Sequence, residues 1–370
     1  MRHGLMLWKP EEIAQATLEK RIADMRSAMA AAGFDALLLY TNIVRPAAVT
    51  YLTAFTPYWA DAVLLLLPDG PPVFITALSK RVSNWIRSTN PLSEIVNSPK
   101  PGMVAGQHLH GDARIRRVGV LEYDMLPFGI FDDLTAAAPD VEFADATEAF
   151  AAVRTLIDAD EAAMLGKADA LARAAMPQDY DGAGKAGGLL GRIEHGLRNA
   201  GAEETYLAMV PDLSKETVFV RNPGEMPLGS RFAISISLAF KGSWIRRTSC
   251  FAADPAAAPM ISACEAWWHE TLGRIKPYIG IGGQLGAMVK ELPGARLCSW
   301  TVEACRGSYP LQVIGSSLHK DDFTPLPGRM LVLSLAVNVE GVPWFAAAPF
   351  VVTENGLHGV AGVEADANVG

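Results

Sequence analysis

The chain has 370 residues, 50% of them hydrophobic, and this length and composition favour two domains, each with its own core. Its 32 basic and 40 acidic side chains give a formal net charge of -8, which argues against a nucleic-acid-binding protein. The first residues lack an apolar stretch long enough for a signal peptide. The longest apolar runs, such as Ala62 to Pro68, are too short to cross a bilayer. We therefore expect a cytoplasmic protein that binds neither nucleic acid nor a membrane.

The cysteines show no spacing that favours a metal site or a disulfide framework. No two of them form a CxxC pair, and in a chain of this length they are expected to be small buried hydrophobic residues. They are Cys250, Cys264, Cys298 and Cys305.

The first part of the chain predicts alternating helices and strands. Apolar residues at helical spacing over Lys20 to Ala32 are followed by a glycine and then by a strand candidate at Asp35 to Tyr40. The segments Asp61 to Leu67 and Pro72 to Thr76, joined by a Pro-Asp-Gly turn, predict a hairpin. A further buried strand is predicted at Arg117 to Glu122. This order is typical of an α/β layer domain.

A second domain is expected to begin near Asp158. The alanine-rich segment Asp160 to Met176 predicts a helix with acidic residues in its first turn. Helix and strand candidates then alternate: helices at Leu189 to Ala200, Pro259 to Ile275 and Gly283 to Leu292, and strands at Arg231 to Phe240, Met330 to Val339 and Trp344 to Thr353. Helices on one side of a mostly antiparallel sheet fit this order. We expect an α+β protein with domains at residues 1–153 and 154–370.

Several short segments stand in an order and spacing that occur together in one family. In the first half these are Arg21-Ile22, Gly33 to Leu37, Val49 to Thr53 and Ile157 to Glu161. In the second half they are Lys241-Gly242, Pro327-Gly328 and Val351 to Gly356. With these segments the chain resembles the pita-bread family that includes creatinase, prolidase, aminopeptidase P and methionine aminopeptidase. The resemblance implies an N-terminal creatinase-like domain, a pita-bread C-terminal domain and a homodimer.

The same resemblance locates the family's metal-ligand positions in this chain. In the family's peptidases, two aspartates, one histidine and two glutamates bind a pair of divalent metal ions that activate water. The corresponding positions here are Ser235 and Arg246 for the aspartates, Gln312 for the histidine, and Ser334 and Ala347 for the glutamates. None of these side chains is a carboxylate or an imidazole, and an arginine cannot lose its proton at ordinary pH. We therefore predict no metal and no other cofactor.

His319 matches the family's second histidine, which contacts substrate and stabilises developing charge. A surface histidine followed by the polar run Lys320-Asp321-Asp322 is equally compatible with the sequence. Creatinase is a metal-free hydrolase of the same fold that uses another histidine as acid and base. The matching stretch here, Thr217 to Pro223, contains no histidine. A creatinase mechanism therefore does not carry over intact.

Two adjacent arginines lie in a strand candidate, so their side chains should leave on opposite faces of the sheet. The resemblance implies that the side chain of Arg246, rather than that of Arg247, points into the cavity where the family's peptidases hold their metal ions. There it would form an anion-binding cleft, suited to a carboxylate, together with Ser235, Gln312, Ser334 and His319. The alternative is that Arg246 only fills this space by pairing with a carboxylate such as Asp61 or Glu303.

Aromatic residues near the N-terminal domain's first hairpin form a further candidate. The segment Phe55 to Asp61 lies where relatives with an extra N-terminal domain reach toward the active site of a partner subunit. Tyr58 and Trp59 would then cover a small-molecule substrate, or they would be interface or core residues. The pair Trp267-Trp268 is expected to contribute at least one residue to the core.

Three functions are compatible with these residues. The first is a metal-independent, creatinase-like hydrolase or lyase acting on a small polar carboxylate- or amide-bearing substrate, with Arg246 binding it and His319 moving protons. Further acid or base candidates are Glu303, Asp321, Asp322 and Glu340. The second is a catalytically inactive pita-bread homologue that serves as a binding or scaffolding protein.

The third function, an Xaa-Pro metallopeptidase with displaced ligands, needs carboxylates and histidines that the second half does not cluster. His108 and His110 are paired at strand spacing in a polar segment taken as a loop. They have no third ligand beside them, and such a pair is usually incidental.

Overall fold

The computed structural model describes residues 8–57, 60–177, 184–319 and 322–360. Contacts divide the chain into an N-terminal unit, residues 1–160 with 305–312, and a C-terminal unit, residues 161–304 with 313–370. The short segment 305–312 thus folds with the N-terminal unit, which the sequence did not indicate. The expected domain boundary after residue 153 stays a prediction.

The described part of the N-terminal unit contains a six-stranded mixed sheet with the strand order β4-β3-β2-β1-β5-β6. Its strands are β1 (Ala36–Thr41), β2 (Ala62–Leu66), β3 (Val73–Thr76), β4 (Glu94–Asn97), β5 (Arg117–Val120) and β6 (Glu142–Asp145). Strands β1, β2 and β3 pair antiparallel, whereas β4, β5 and β6 join parallel to their neighbours. The helices are α1 (Gln15–Ala31), α2 (Ala47–Thr53), α3 (Ser83–Thr89), α4 (Pro101–His110), α5 (Phe128–Ala137) and α6 (Thr147–Arg154).

Both faces of this sheet are covered, and the central strands β1 and β2 are accordingly buried at every position and mostly apolar. Leu37 and Leu64 belong to one buried cluster, while Leu38 and Leu65 belong to a second cluster on the other face. Continuous apolar strands of this kind are typical of sheets that lie between two layers of helices.

The C-terminal unit has a larger sheet with the strand order β11-β10-β12-β13-β9-β8-β7, and β14 pairs with β13. Its strands are β7 (Glu204–Val210), β8 (Arg231–Phe240), β9 (Ser243–Ala252), β10 (Ala295–Ala304), β11 (Gln312–Ser316), β12 (Met330–Val339), β13 (Val342–Thr353) and β14 (Gly356–Gly359). The pairs that join β7, β8, β9, β13, β12 and β10 are antiparallel. The helices are α7 (Ala159–Ala175), α8 (Ala186–Asn199), α9 (Ala258–Arg274) and α10 (Ile281–Met288).

Helices α9 and α10 pack against this sheet, with Leu333, Leu335 and Trp344 in the buried cluster that joins them. Two hairpins are closed by two-residue turns with both residues in the left-handed region, Lys241-Gly242 and Glu340-Gly341. Such turns match the twist of antiparallel strands, and glycine adopts the second position without strain. The result is the α+β architecture expected from the sequence.

Most predicted strands and helices are present. Helix α1 begins at Gln15, earlier than expected, because the Oδ2 atom of Asp160 accepts hydrogen bonds from the Ala14 N–H at 2.8 Å and the Thr17 hydroxyl at 2.5 Å. This capping residue lies far along the sequence. Trp267 and Trp268 are both buried.

Two expectations about histidines and cysteines were wrong in detail. The segment with His108 and His110 is not a loop but helix α4, which begins at Pro101, a residue well suited to a first helical turn. Three cysteines are buried as expected, but Cys298 is exposed. Among the residues that the structure describes, no helix is both long enough and apolar enough to cross a membrane.

Candidate functional site

A row of small residues crosses the sheet of the C-terminal unit. Residues directly opposite one another on paired strands share a face, and the registers join, strand by strand, Ser235, Thr248, Ala347, Ser334 and Thr301. The Thr248 hydroxyl donates to the Ser235 Oγ at 2.9 Å. The Ser334 Oγ is buried and has no hydrogen-bond partner within the described part of the chain. This row, called the serine row below, places four hydroxyl side chains and Ala347 on one face of the sheet.

Arg246 lies on the same face, opposite Ser237 on β8. Its Nε donates to the Ser237 Oγ at 2.9 Å, and its Nη1 lies 2.9 Å from the Oε2 of Glu303 on β10. The Arg246 side chain is 36% exposed, whereas that of Glu303 is 5% exposed. The guanidinium therefore reaches solvent while its carboxylate partner does not.

Burial raises the pKa of the Glu303 carboxyl, and the positive charge of Arg246 partly opposes this shift. Strands β11, β12 and β13 contain no ionisable side chain. Arg246 and Glu303 thus form an isolated ion pair at the centre of the sheet. This is the pairing that we raised as the alternative for Arg246, and Asp61 instead accepts a hydrogen bond from Tyr40.

Arg247 has different partners, as expected for the next residue along a strand. Its Nε donates to the Oδ1 of Asp169 on α7 at 2.8 Å, and its Nη2 lies 2.7 Å from the same oxygen. Asp169 is buried and also pairs with Arg173. The two adjacent arginines therefore bind separate carboxylates.

The side chain of Gln312 forms its hydrogen bond within the N-terminal unit. Its Nε2 donates to the Oε1 of Glu122 at 3.0 Å, and Glu122 also accepts hydrogen bonds from the Ser308 backbone N–H at 3.2 Å and from the Ser308 hydroxyl. Arg45 lies over the Tyr309 ring, with its Nη1 3.8 Å from the Glu122 Oε2. The expected place of Gln312 beside Arg246 stays a prediction.

The remaining predicted site residues are not brought together by observed contacts. His319 is exposed in the turn after β11, and its backbone N–H donates to the Ser316 carbonyl. Its proposed role in proton transfer stays a prediction. Tyr58 and Trp59 lie outside the described residues.

Other candidate acids have structural roles. Asp322 accepts hydrogen bonds from the backbone N–H groups of Gly282 and Gly283 at the start of α10. Glu340 is the first residue of the β12–β13 turn, and Asp321 lies outside the described residues.

The side chains at this site do not fit a pair of divalent metal ions. Such ions prefer carboxylate and imidazole ligands, whereas the five positions aligned from the family resemblance offer two hydroxyls, a guanidinium, a carboxamide and a methyl group. In the described ranges, no three histidine, cysteine, aspartate or glutamate side chains are grouped so that they could hold a metal ion.

Comparisons with known proteins agree with this architecture. Residues 21–156 match the family model described as creatinase/prolidase N-terminal domain. Among curated proteins, none matches the chain by sequence. The X-Pro aminopeptidase from Thermotoga maritima MSB8 has a TM-score of 0.72 at 13% identity, over 91% of this chain and 98% of that chain.

Two further solved structures are similar over nearly the same length. The prolidase from Pyrococcus horikoshii OT3 has a TM-score of 0.69 at 12% identity, covering 93% of this chain and 99% of its own. The Xaa-Pro dipeptidase from Bacillus anthracis has a TM-score of 0.69 at 16% identity, covering 94% and 98%. At these identities the likeness establishes the fold.

The class of protein follows from these matches. Residues 21–156 match the creatinase/prolidase N-terminal domain, and the chain as a whole has the fold of the solved X-Pro aminopeptidase and prolidase structures. The family resemblance stated from the sequence is thereby confirmed, whereas the substitution of the metal-ligand positions stays a prediction.

Several residues of the site escaped the sequence analysis. Ser237 and Thr248 lie two residues from Ser235 and Arg246, and the two-residue period of a strand was the signal that could have found them. Glu122 gave no such signal, because its partners come from a segment nearly two hundred residues later.

Proposed function

We propose that the chain is a metal-independent hydrolase or lyase that acts on a small polar substrate with a carboxylate or amide group. The observation that supports this proposal is Arg246, a partly exposed guanidinium on the same sheet face as the buried carboxyl of Glu303. A fixed positive charge suits a carboxylate ligand. Burial raises the pKa of the Glu303 carboxyl, and a carboxyl group with a raised pKa is a candidate for proton transfer.

The other predicted residues have proposed roles around this ligand. Ser235, Ser334 and Gln312 would form hydrogen bonds with it, and His319 would move protons. Tyr58 and Trp59 would cover it. The family resemblance also suggests a homodimer, which the mass from light scattering would test.

A second candidate function is a catalytically inactive binding or scaffolding protein. The observation that favours it is that Glu303 already pairs with Arg246, while Glu122 engages Gln312. Internal pairing of this kind leaves fewer groups for chemistry.

Turnover without added metal tests the proposal. The protein is dialysed against EDTA and incubated with N-acyl amino acids, dipeptides and guanidino acids, and products are followed by proton NMR. We expect at least one compound to be consumed, with a loss of about tenfold to a hundredfold in kcat/KM for Arg246→Lys, because an ammonium cannot reproduce the guanidinium's two parallel hydrogen bonds.

Arg247→Lys is the matched control, since it is the same change one residue away, at an arginine paired with Asp169. Ligand binding without turnover would favour the binding protein. Cleavage of Xaa-Pro dipeptides only after a divalent metal ion is added would overturn the proposal in favour of a metallopeptidase.

A further inference from the structure

We infer that Glu303 takes up a proton when a carboxylate ligand binds Arg246, so that binding at this site is coupled to proton uptake. The inference rests on the anion site proposed above and adds a role for the buried carboxylate. In this step one proton passes from solvent to the Glu303 carboxylate, and no other bond forms or breaks.

The two members of the ion pair differ in their access to solvent. The Arg246 side chain is 36% exposed and that of Glu303 is 5% exposed, so an anion from solution meets the guanidinium first. An arginine has five N–H donors, and one of them is used by Ser237. A ligand carboxylate can therefore bind Arg246 while Glu303 stays in place.

The contact between Arg246 and Glu303 is held by charge more than by aligned hydrogen bonding. The Nη1 atom lies 2.9 Å from the Glu303 Oε2, yet that oxygen is buried and makes no hydrogen bond of good geometry with the described residues. A second anion bound to the same cation adds a like charge beside Glu303, which opposes the ionised form of this carboxyl.

Arg246 is the one cation that faces Glu303 among the described residues. Strands β11, β12 and β13 carry no ionisable side chain, and Arg296 lies at the other end of β10. Helix α10 also has none. In the turn that follows it, Lys290 is exposed and Glu291 pairs with Arg274.

A ligand carboxylate on Arg246 would thus place a second negative charge near a carboxylate that nothing else stabilises. Burial already favours the protonated form of Glu303, and a like charge within a few ångströms favours it further. Protonation removes this repulsion.

The serine row offers a partner for the protonated carboxyl. Glu303 pairs with Val332, and Ser334 is two residues along β12 on the same face. Diagonal neighbours of this kind are within reach of long side chains. The Ser334 Oγ is buried and has no hydrogen-bond partner in the described ranges, so it could accept the new O–H.

The measurable consequence is a pH-dependent affinity. When one proton is taken up, the affinity should fall by up to tenfold for each pH unit above the pKa of Glu303 in the free protein. N-acetylglycine is a suitable probe, because its carboxylate is ionised from pH 5.5 to 8.5. Calorimetry in two buffers of different ionisation enthalpy gives the number of protons taken up.

We expect uptake that approaches one proton in the wild type and in the control Arg247→Lys. Glu303→Gln should show no uptake and a pH-independent affinity. Binding that is lost in Arg246→Met but independent of pH in the wild type would keep the proposed function and overturn the proton coupling.

A measurement without ligand keeps the inference testable if N-acetylglycine does not bind. In protein labelled with ¹³C-glutamate, the Glu303 carboxyl should titrate at higher pH in Arg246→Met than in the wild type, since its one facing cation is gone. Identical titration in the two proteins would overturn the inference. Failure of every carboxylate to bind, with the expected titration shift present, would count against the proposed function alone.

Discussion

Glu203 holds the turn between β8 and β9. Its Oε1 accepts a hydrogen bond from the Lys241 backbone N–H at 2.9 Å, and its Oε2 accepts one from the Gly242 N–H at 3.0 Å. Burial raises the pKa of this carboxyl from 4.5 to about 7, although the two N–H groups partly oppose the shift. A carboxylate thus stabilises a turn with two left-handed residues and loses hydration in doing so.

The raised pKa predicts how stability depends on pH. Because the folded state binds the Glu203 proton more tightly than the unfolded state, this group's contribution is greatest below pH 4.5 and declines as pH rises to about 7. Urea unfolding at pH 4.5 and at pH 8 gives the loss of free energy of unfolding over this range. In Glu203→Gln this loss should be smaller than in the wild type by about 1–3 kcal/mol.

Glu204→Gln makes the same change in net charge at the next residue and serves as the control. If plots of the free energy of unfolding against pH stay parallel for the wild type and Glu203→Gln, the pKa of Glu203 does not differ between the folded and unfolded states.

Arg246 shows how far residue-level reasoning from the sequence reached. Strand alternation separated it from Arg247, and both arginines have the separate partners that this alternation requires. The choice between Glu303 and Asp61 needed the strand order, because β9 and β10 lie in the same sheet with only β12 and β13 between them but are far apart in the chain.

At the scale of elements, the segment 305–312 is the least expected feature. It runs from the end of β10 to the first residue of β11 but belongs to the N-terminal unit. The partly buried carboxylate of Glu122 accepts hydrogen bonds from Ser308 and Gln312, and the Ala47 N–H donates to the Ser308 carbonyl at 3.0 Å. Glu122 has a φ of 52°, in the left-handed region, so these contacts must also offset some backbone strain.

Substitution of Gly307 tests how closely the segment 305–312 packs against Glu122. A Cβ at this position would lie 2.3 Å from the Glu122 Oε1 and 3.2 Å from the Gln312 Oε1. Gly307→Ala should displace the Glu122 carboxylate from its partners and lower the free energy of unfolding by about 1–3 kcal/mol. Hydrogen exchange of the amides in 305–312 should become faster.

Gly273→Ala is the matched control, because a Cβ there meets no atom within 4 Å and the residue lies in α9. Alanine is the better helix former, so this change should leave stability equal or slightly higher. Equal exchange rates in the two variants would contradict the close packing of Gly307 against Glu122.

At the scale of the whole molecule, the chain has the fold of solved X-Pro aminopeptidase and prolidase structures, and we predict that it binds no metal. The described residues contain no group of three side chains that fits a metal ion. A bound metal would raise stability by about 2.7 kcal/mol at a hundredfold excess over its dissociation constant. We therefore expect the same melting temperature before and after dialysis against EDTA, and no increase on addition of Mn²⁺ or Zn²⁺.

Metal analysis of the purified protein accompanies this measurement. A stoichiometric divalent ion, with a melting temperature that falls after EDTA and recovers with metal, would show that the ligands lie elsewhere in the chain.

The sequence by itself determined the fold class and the character of the central sheet. The apolar runs of β1 and β2, the glycine-containing turns and the two-residue period of β8, β9 and β12 are local properties, which depend on side chains a few residues apart. For the same reason the family segments could be recognised in order along the chain.

Only the tertiary structure decided which distant groups meet. Asp160 starts α1, Glu303 pairs with Arg246, and Glu122 binds Ser308. Each of these pairs joins residues more than fifty positions apart, and one sequence carries no record of such distances. Burial, which raises the pKa of Glu203 and Glu303, likewise exists only once the layers have packed, because it depends on how much water the neighbouring elements exclude.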